Sequence, residues 1–237
     1  MKKICLALGA ALVALGTASA FAQESLEPAF GEVLVTAQRQ NAPFYRQDRP
    51  VVGLRRPADG AVMPFAITSD TRDEPTRRQE IHTVLLAAID RAASAGLELV
   101  SGSFQLRKIT HENYQELALG YGGRIDTSRV DLMVKGSLDG SADATQKRLL
   151  AFVYSLKKGG RAVVDSNGGI ALTVVNPDQY RDRIISLVAA DAKHSAALFG
   201  PEFTFNISGI DLPVGWSQVS STEVFLFLPY RYNINPR

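Results

Sequence analysis

Residues 161–200 read RAVVDSNGGIALTVVNPDQYRDRIISLVAADAKHSAALFG, and the period of the apolar pattern changes partway along. The first part holds two short runs, 161–165 and 170–175, around Asn167-Gly168-Gly169. Asn and Gly tolerate the positive φ angles of tight turns, so this stretch predicts a β-hairpin. After Asn176-Pro177 the apolar residues fall at three- and four-residue spacing, as Ile184, Leu187, Val188, Ala192 and Ala196, up to Gly200. Proline suits the first turn of a helix and glycine the position after its end, so a helix follows the strands directly.

Working outward, the same two periods recur. Upstream, Ile81, Val84, Leu85, Ala88, Ile89 and Ala92 make a helical stripe entered through Asp73 and Glu74 and stopped at Gly96. Ser141 is the expected cap of another helix, with a stripe of Leu149, Leu150, Val153 and Leu156 before Gly159-Gly160. Strands are predicted at 61–68, 97–107 and 129–138, with a long loop at 108–128 whose first part extends the strand before it. Downstream, strands at 202–210 and 222–234 flank a loop around Trp216. The order β-α-β-β-α-β-β-α-β-β predicts an α+β fold, a largely antiparallel sheet with three helices packed on it.

The N-terminus reads differently. Lys2 and Lys3 precede the apolar run 4–16, too short to span a bilayer, and Ala18-Ser19-Ala20 and Ala20-Phe21-Ala22 offer small-residue cleavage sites. Residues 1–22 are therefore expected to be a signal peptide. Residues 23–60, broken by Pro28, Pro43, Pro50 and Pro57, are expected to be a flexible arm, and 61–237 the folded domain. The implied location is the periplasm or the outer-membrane face, with no transmembrane segment in the mature chain. Cys5 is the single cysteine and lies in the signal, so the mature core must hold without disulfides. Taking Lys2 and Lys3 from 26 basic residues leaves 24 against 24 acidic ones. A formally neutral mature chain has no net charge to draw it to nucleic acid.

Chemistry-bearing patterns are sparse. His82, His111 and His194 lack metal-ligand spacing, and no serine sits in a glycine-flanked nucleophile elbow. Gly120-Tyr121-Gly122-Gly123 lacks the third glycine of a dinucleotide fingerprint, Ile125 standing in its place, and reads as a turn. Arg124, Asp126, Arg129 and Asp131 beside it form either a polar site or local ion pairs on a solvated face. No enzyme, metal or cofactor is expected.

Near the C-terminus, Val224, Leu226 and Leu228 point one way and Phe225 and Phe227 the other. A sheet covered on one side alternates apolar with polar, so a second cover is expected over the two phenylalanines. Either another part of the chain or a second subunit would supply it. The latter makes Phe225 and Phe227 a candidate interface of a homo-oligomer, and Pro229 marks an edge or bulge.

Two stretches carry family resemblances. Gly169-Ile170-Ala171-Leu172-Thr173-Val174, running into Asn176-Pro177-Asp178-Gln179-Tyr180-Arg181 and an alanine-rich helix to Phe199-Gly200, resembles the SIMPL-domain family of exported bacterial proteins. The likeness covers roughly 62–234. The family's usual Pro-Asp step into the first helix is here Asp73-Glu74-Pro75-Thr76. The resemblance implies an envelope-associated, often oligomeric protein without established catalysis. In the arm, Glu32-Val33-Leu34-Val35-Thr36-Ala37-Gln38-Arg39 resembles the TonB box of TonB-dependent receptors, which implies partner binding through Glu32, Val33, Leu34, Val35 and Thr36. An extended β-branched segment suits strand addition to a partner's sheet, and equally a strand of its own domain. Three functions are compatible with these features: an oligomeric SIMPL-like binding or structural module, a periplasmic accessory that contacts TonB through its arm, and a hydrolase without a familiar motif.

Overall fold

A computed structural model describes residues 31–35, 50–166 and 168–237. The expected signal peptide, most of the arm, Thr36 and Asn167 lie outside the described residues. The fold is α+β. Its strands are β1 (Glu32–Val35), β2 (Leu54–Pro57), β3 (Gly60–Ser69), β4 (Glu98–Ser101), β5 (Arg107–Lys108), β6 (Gly120–Tyr121), β7 (Ser128–Ser137), β8 (Val163–Ser166) and β9 (Ala171–Val175), continuing with β10 (Phe203–Ser208), β11 (Gly215–Gln218), β12 (Glu223–Phe227) and β13 (Arg231–Pro236). The helices are α1 (Glu74–Ser94), α2 (Ala142–Tyr154) and α3 (Arg181–Ala197).

An eight-stranded sheet follows the path β1-β9-β3-β7-β4-β5, with β6 on β7 and β8 on β3. All its pairings are antiparallel. The sheet curls into a half-barrel until its two ends meet. Leu34 N–H donates to the Phe104 carbonyl at 3.0 Å, and Leu106 N–H to the Glu32 carbonyl at 2.9 Å. Separate ribbons pair β10 with β13, and β11 with β12 with β2.

Helix α1 starts where its chemistry says it should. The Asp73 carboxylate accepts the Thr76 N–H at 3.0 Å, Pro75 occupies the first turn, and Gly96 at φ 65° lets the chain leave. Ser141 caps α2 by accepting the Ala144 N–H at 3.1 Å. Both helices lay their stripes on the convex face of the sheet, where Ile81, Leu85 and Leu149 meet Met63, Phe65, Ile67, Leu132 and Val134. Each large side chain buried there contributes about 1.5–3 kcal/mol. Helix α3 buries Ile184 and Val188 in a second cluster with Val33, Val35, Leu172 and Val174, and Ala192 and Ala196 are buried further along the same helix. Leu187, expected in that stripe, is partly exposed.

Several expectations are corrected. The hairpin at 161–175 does not form: β8 and β9 lie one after the other along the same edge of β3. The interruption falls at Pro64, whose carbonyl accepts the Ser166 hydroxyl at 2.8 Å. Proline has no N–H to give the ladder, and the chain steps out there through Gly168 at φ 72°. The stretch 97–107 is not one strand, because Gly102 at φ 126° turns β4 back onto β5. The loop around Trp216 contains β11. Residues 222–234 split at Pro229 into β12 and β13, which belong to different sheets.

The described parts of 23–60 do not behave as an arm: β1 and β2 are built into the sheets, and Val33 is wholly buried. Phe225 and Phe227 need no second subunit for cover, since within one chain they are 7% and 8% exposed. Their rings stack at 5.8 Å and lie across Gly53 and Gly215, where a Cβ would strike them.

Candidate functional site

The concave face of the half-barrel has its own small core. Leu34, Val62 and Val100 are buried against Leu106, Met133 and Ala171, all pointing inward from neighbouring strands. Side chains two residues further on share that face, because strand residues alternate between faces. Toward one end they are Glu32 on β1, Thr173 on β9, Lys135 on β7, Glu98 on β4 and Lys108 on β5. Four charged groups from four strands thus converge on one mouth of the curled sheet.

Lys135 joins them. Its ammonium pairs with the Glu32 carboxylate and, at 3.2 Å, with Glu98. Lys108 Nζ holds the other Glu98 oxygen at 2.7 Å. Burial pushes the Lys135 ammonium down, but the hydrogen bond and charge of Glu32, then those of Glu98, outweigh it and hold the group above its ordinary value. The Lys108 bond, helped by Lys135, keeps Glu98 below the usual carboxylate range. Asp59 stands at the same end and accepts the Val175 N–H at 2.9 Å and the Arg56 guanidinium at 2.8 Å. Burial alone would raise the Asp59 pKa; the Arg56 and Val175 bonds and the Lys135 field bring it below normal. Two oxygens facing this interior, Glu32 Oε1 and Thr173 Oγ1, are buried without a hydrogen-bond partner.

A cleft of about 720 Å³ opens beside the mouth, between Ala92 and Ala93 of α1 and a floor of Glu98, Lys108 and Lys135. The Lys108 side chain is 60% exposed and that of Glu98 37%, so both charges are open to solvent in the cleft. A second cleft of about 630 Å³ runs along the outer face of α1 past Arg78, His82 and Tyr114. His82 meets the Tyr114 ring edge-on at 5.2 Å, and burial, then Arg78, lower its pKa.

The residues singled out from the sequence are distributed unevenly by the fold. Glu32 belongs to the mouth. Val33 and Val35 point instead into the α3 cluster, Leu34 lines the interior, and Thr36 lies outside the described residues. Both edges of β1 are already paired, so it can add to a partner's sheet only by leaving its own. Arg129 binds Asp131 at 2.7 Å and Arg124 reaches Asp70 at 3.2 Å, the local pairing of a solvated face. His111 contacts Asp90 at 2.8 Å on the surface. Among the described residues, no three His, Cys, Asp or Glu side chains are grouped to hold a metal, and no helix is long and apolar enough to cross a membrane.

Lys135, Glu98 and Lys108 escaped the sequence reading. In the β7 sequence Val130, Leu132 and Val134 alternate with Asp131, Met133 and Lys135, which reads as one buried and one wet face. The one signal was Met133 on the polar side. No protein-family model matches this chain, and no curated protein matches it.

Proposed function

We propose that the protein is an exported, non-catalytic, SIMPL-like module of the cell envelope that binds a small ligand bearing both charges at the mouth of its curled sheet. The observation that supports this reading is the Glu32–Lys135–Glu98–Lys108 chain beside an open cleft. Every charge there is balanced within the chain, so a ligand of single charge would leave one group unpaired. A ligand with an ammonium and a carboxylate, such as the termini of a short peptide, replaces Lys108 on Glu98 and compensates the released Lys108. Mixed charges recognise and orient such a ligand, and no nucleophile is needed for that.

The export half of the reading rests on Lys2, Lys3, the apolar run and the Ala-X-Ala sites. Sequencing the N-terminus of the secreted protein tests it, with a start at residue 21 or 23 expected. The binding half is tested by the melting temperature of the mature protein in a millimolar zwitterionic dipeptide, against acetate and ethylamine. A rise with the dipeptide alone, lost in Lys108→Met, is expected; equal response to all three would overturn it.

A further inference from the structure

We propose that the cleft beside the charged mouth selects among zwitterionic ligands by an aliphatic side chain, which lies against the end of α1 over Ala93 and Gly96. This rests on the reading of the mouth as a site for a ligand of both charges, and it defines the part of that ligand between and beyond its charges.

The wall follows from the sequence of α1 and its exit. Ile89, Ala92, Ala93 and Gly96 recur at three- and four-residue spacing, so they share one side of the helix, and all four line the cleft. None of them has a polar side-chain atom. Ala92 is 1% exposed and serves the core, whereas Ala93 and Gly96 are exposed. Both are small, and a Cβ at Gly96 would meet nothing within 4 Å, so the space in front of the wall is open. The backbone offers a ligand little more. The Ala92 carbonyl already accepts the Ala95 and Leu97 N–H groups at 3.0 and 2.8 Å, and the Ala93 carbonyl the Gly96 N–H at 3.2 Å. Beneath, Leu97, Leu99 and Ile109 continue the apolar lining and are buried.

The floor is of opposite character, with Glu98, Lys108 and Lys135 linked by their ion pairs. His111, which also lines the cleft, holds Asp90 of α1 at 2.8 Å and joins the loop after β5 to the helix. The volume of about 720 Å³ falls within the range of about 300–1,000 Å³ usual for small-molecule pockets. A ligand that met only the floor would leave Ala93 and Gly96 wet. An apolar group that covers them releases that water. A polar side chain placed there would give up its own hydration for no hydrogen bond in return. The ligand that satisfies floor and wall together is an amino acid or short peptide with an aliphatic side chain.

The melting temperature of the mature protein is followed against glycyl-leucine and glycyl-glycine, two dipeptides with the same charges. Glycyl-leucine is expected to act at about tenfold lower concentration, since one wall covers roughly half of a leucine side chain. In Ala93→Phe, whose ring fills the space over the wall, the two dipeptides should act at the same concentration. Should that variant fail to fold, Ala93→Gln replaces the exposed methyl by an amide at a position suited to glutamine, and the preference should again be lost. Equal response of the unmodified chain to both dipeptides, abolished by Lys108→Met, overturns this inference and leaves the charged mouth as a binding site. A preference for glycyl-leucine that survives both substitutions at Ala93 overturns it as well, by placing the side chain elsewhere. No response to either dipeptide overturns the charged-mouth reading and this inference with it.

Discussion

The convex and concave faces of the curled sheet are built by the same strands and stabilised by different means. On the convex side, α1 and α2 press a broad apolar stripe against Met63, Phe65, Ile67, Leu132 and Val134, a core of ordinary depth. On the concave side no helix enters. There a thin cluster around Leu34, Val62 and Val100 is followed at once by Lys135, Glu98 and Glu32. The convex face gains its stability from area removed from water, which tolerates changes of pH and salt. The concave face depends on charge compensation in a confined space, where losing one partner leaves the other poorly solvated. The difference teaches where adaptation is affordable: the charged groups lie on the face that the helices leave free, and α1 only borders the cleft beside them.

The largest expected effect is on the convex side. Leu85→Ala, at a side chain 1% exposed, should cost about 3–5 kcal/mol in denaturant unfolding through transfer and cavity terms. A cost below about 1 kcal/mol would show that α1 is not the anchor of this face. Phe227→Ala, in the stack over Gly215, should cost about 3 kcal/mol.

On the concave side, Lys135→Met should cost about 2 kcal/mol, less than a fully buried pair because the lysine side chain is 20% exposed. Adding Glu32→Gln should recover much of that loss, since the stranded carboxylate goes with its partner. Additive losses in this double-mutant cycle would dissolve the distinction between the two faces.

The pH dependence belongs to the concave side and to the strand ends. Asp59 and Glu98 at the mouth, and Glu80 of α1, which accepts the Ser69 and Thr71 hydroxyls at the end of β3, have folded pKa values below their ordinary ones. Their contribution is complete above the ordinary carboxylate range and is lost as pH falls through their folded values. Lys135 is shifted upward from 10.5, so its contribution holds below that pH and disappears as pH rises through its folded value. Urea titrations across pH should give a plateau with an acidic and a strongly alkaline shoulder, and Lys135→Met should shrink the alkaline one, leaving the part that Tyr230 supplies because burial raises its pKa.

Smaller still is the capping bond of α2. Ser141→Ala should cost about 1 kcal/mol by losing the bond to Ala144 N–H. The surface pair Arg107–Glu116, with both side chains more than half exposed, should give less than about 0.5 kcal/mol on Arg107→Ala. A larger loss would place that pair within the stabilising network of the mouth.

The three helices were legible because each carries its own start, stripe and stop. Ser141 caps where expected, Asp73 caps α1 at its expected acidic entry, and Gly96 closes α1. The strands were legible as apolar alternations but not as partners. Pro64 turned an apparent hairpin into two pieces along one edge, an outcome read only with β3 in place. The candidate site was almost invisible: Glu32 stood out as part of a strand-like string, while Lys135 and Glu98 looked like solvent-facing residues.

By itself the sequence determined what is local. Helical period, caps, turn glycines and strand alternation depend on residues a few positions apart, and they define an α+β chain with three helices. Tertiary structure alone decided that β1 closes the sheet, that residues 222–234 serve two different sheets, and that Glu32, Glu98, Lys108 and Lys135 share one mouth. Register between distant strands is fixed by which side chains fit together once the sheet has curled, and that curvature is a property of all its strands at once.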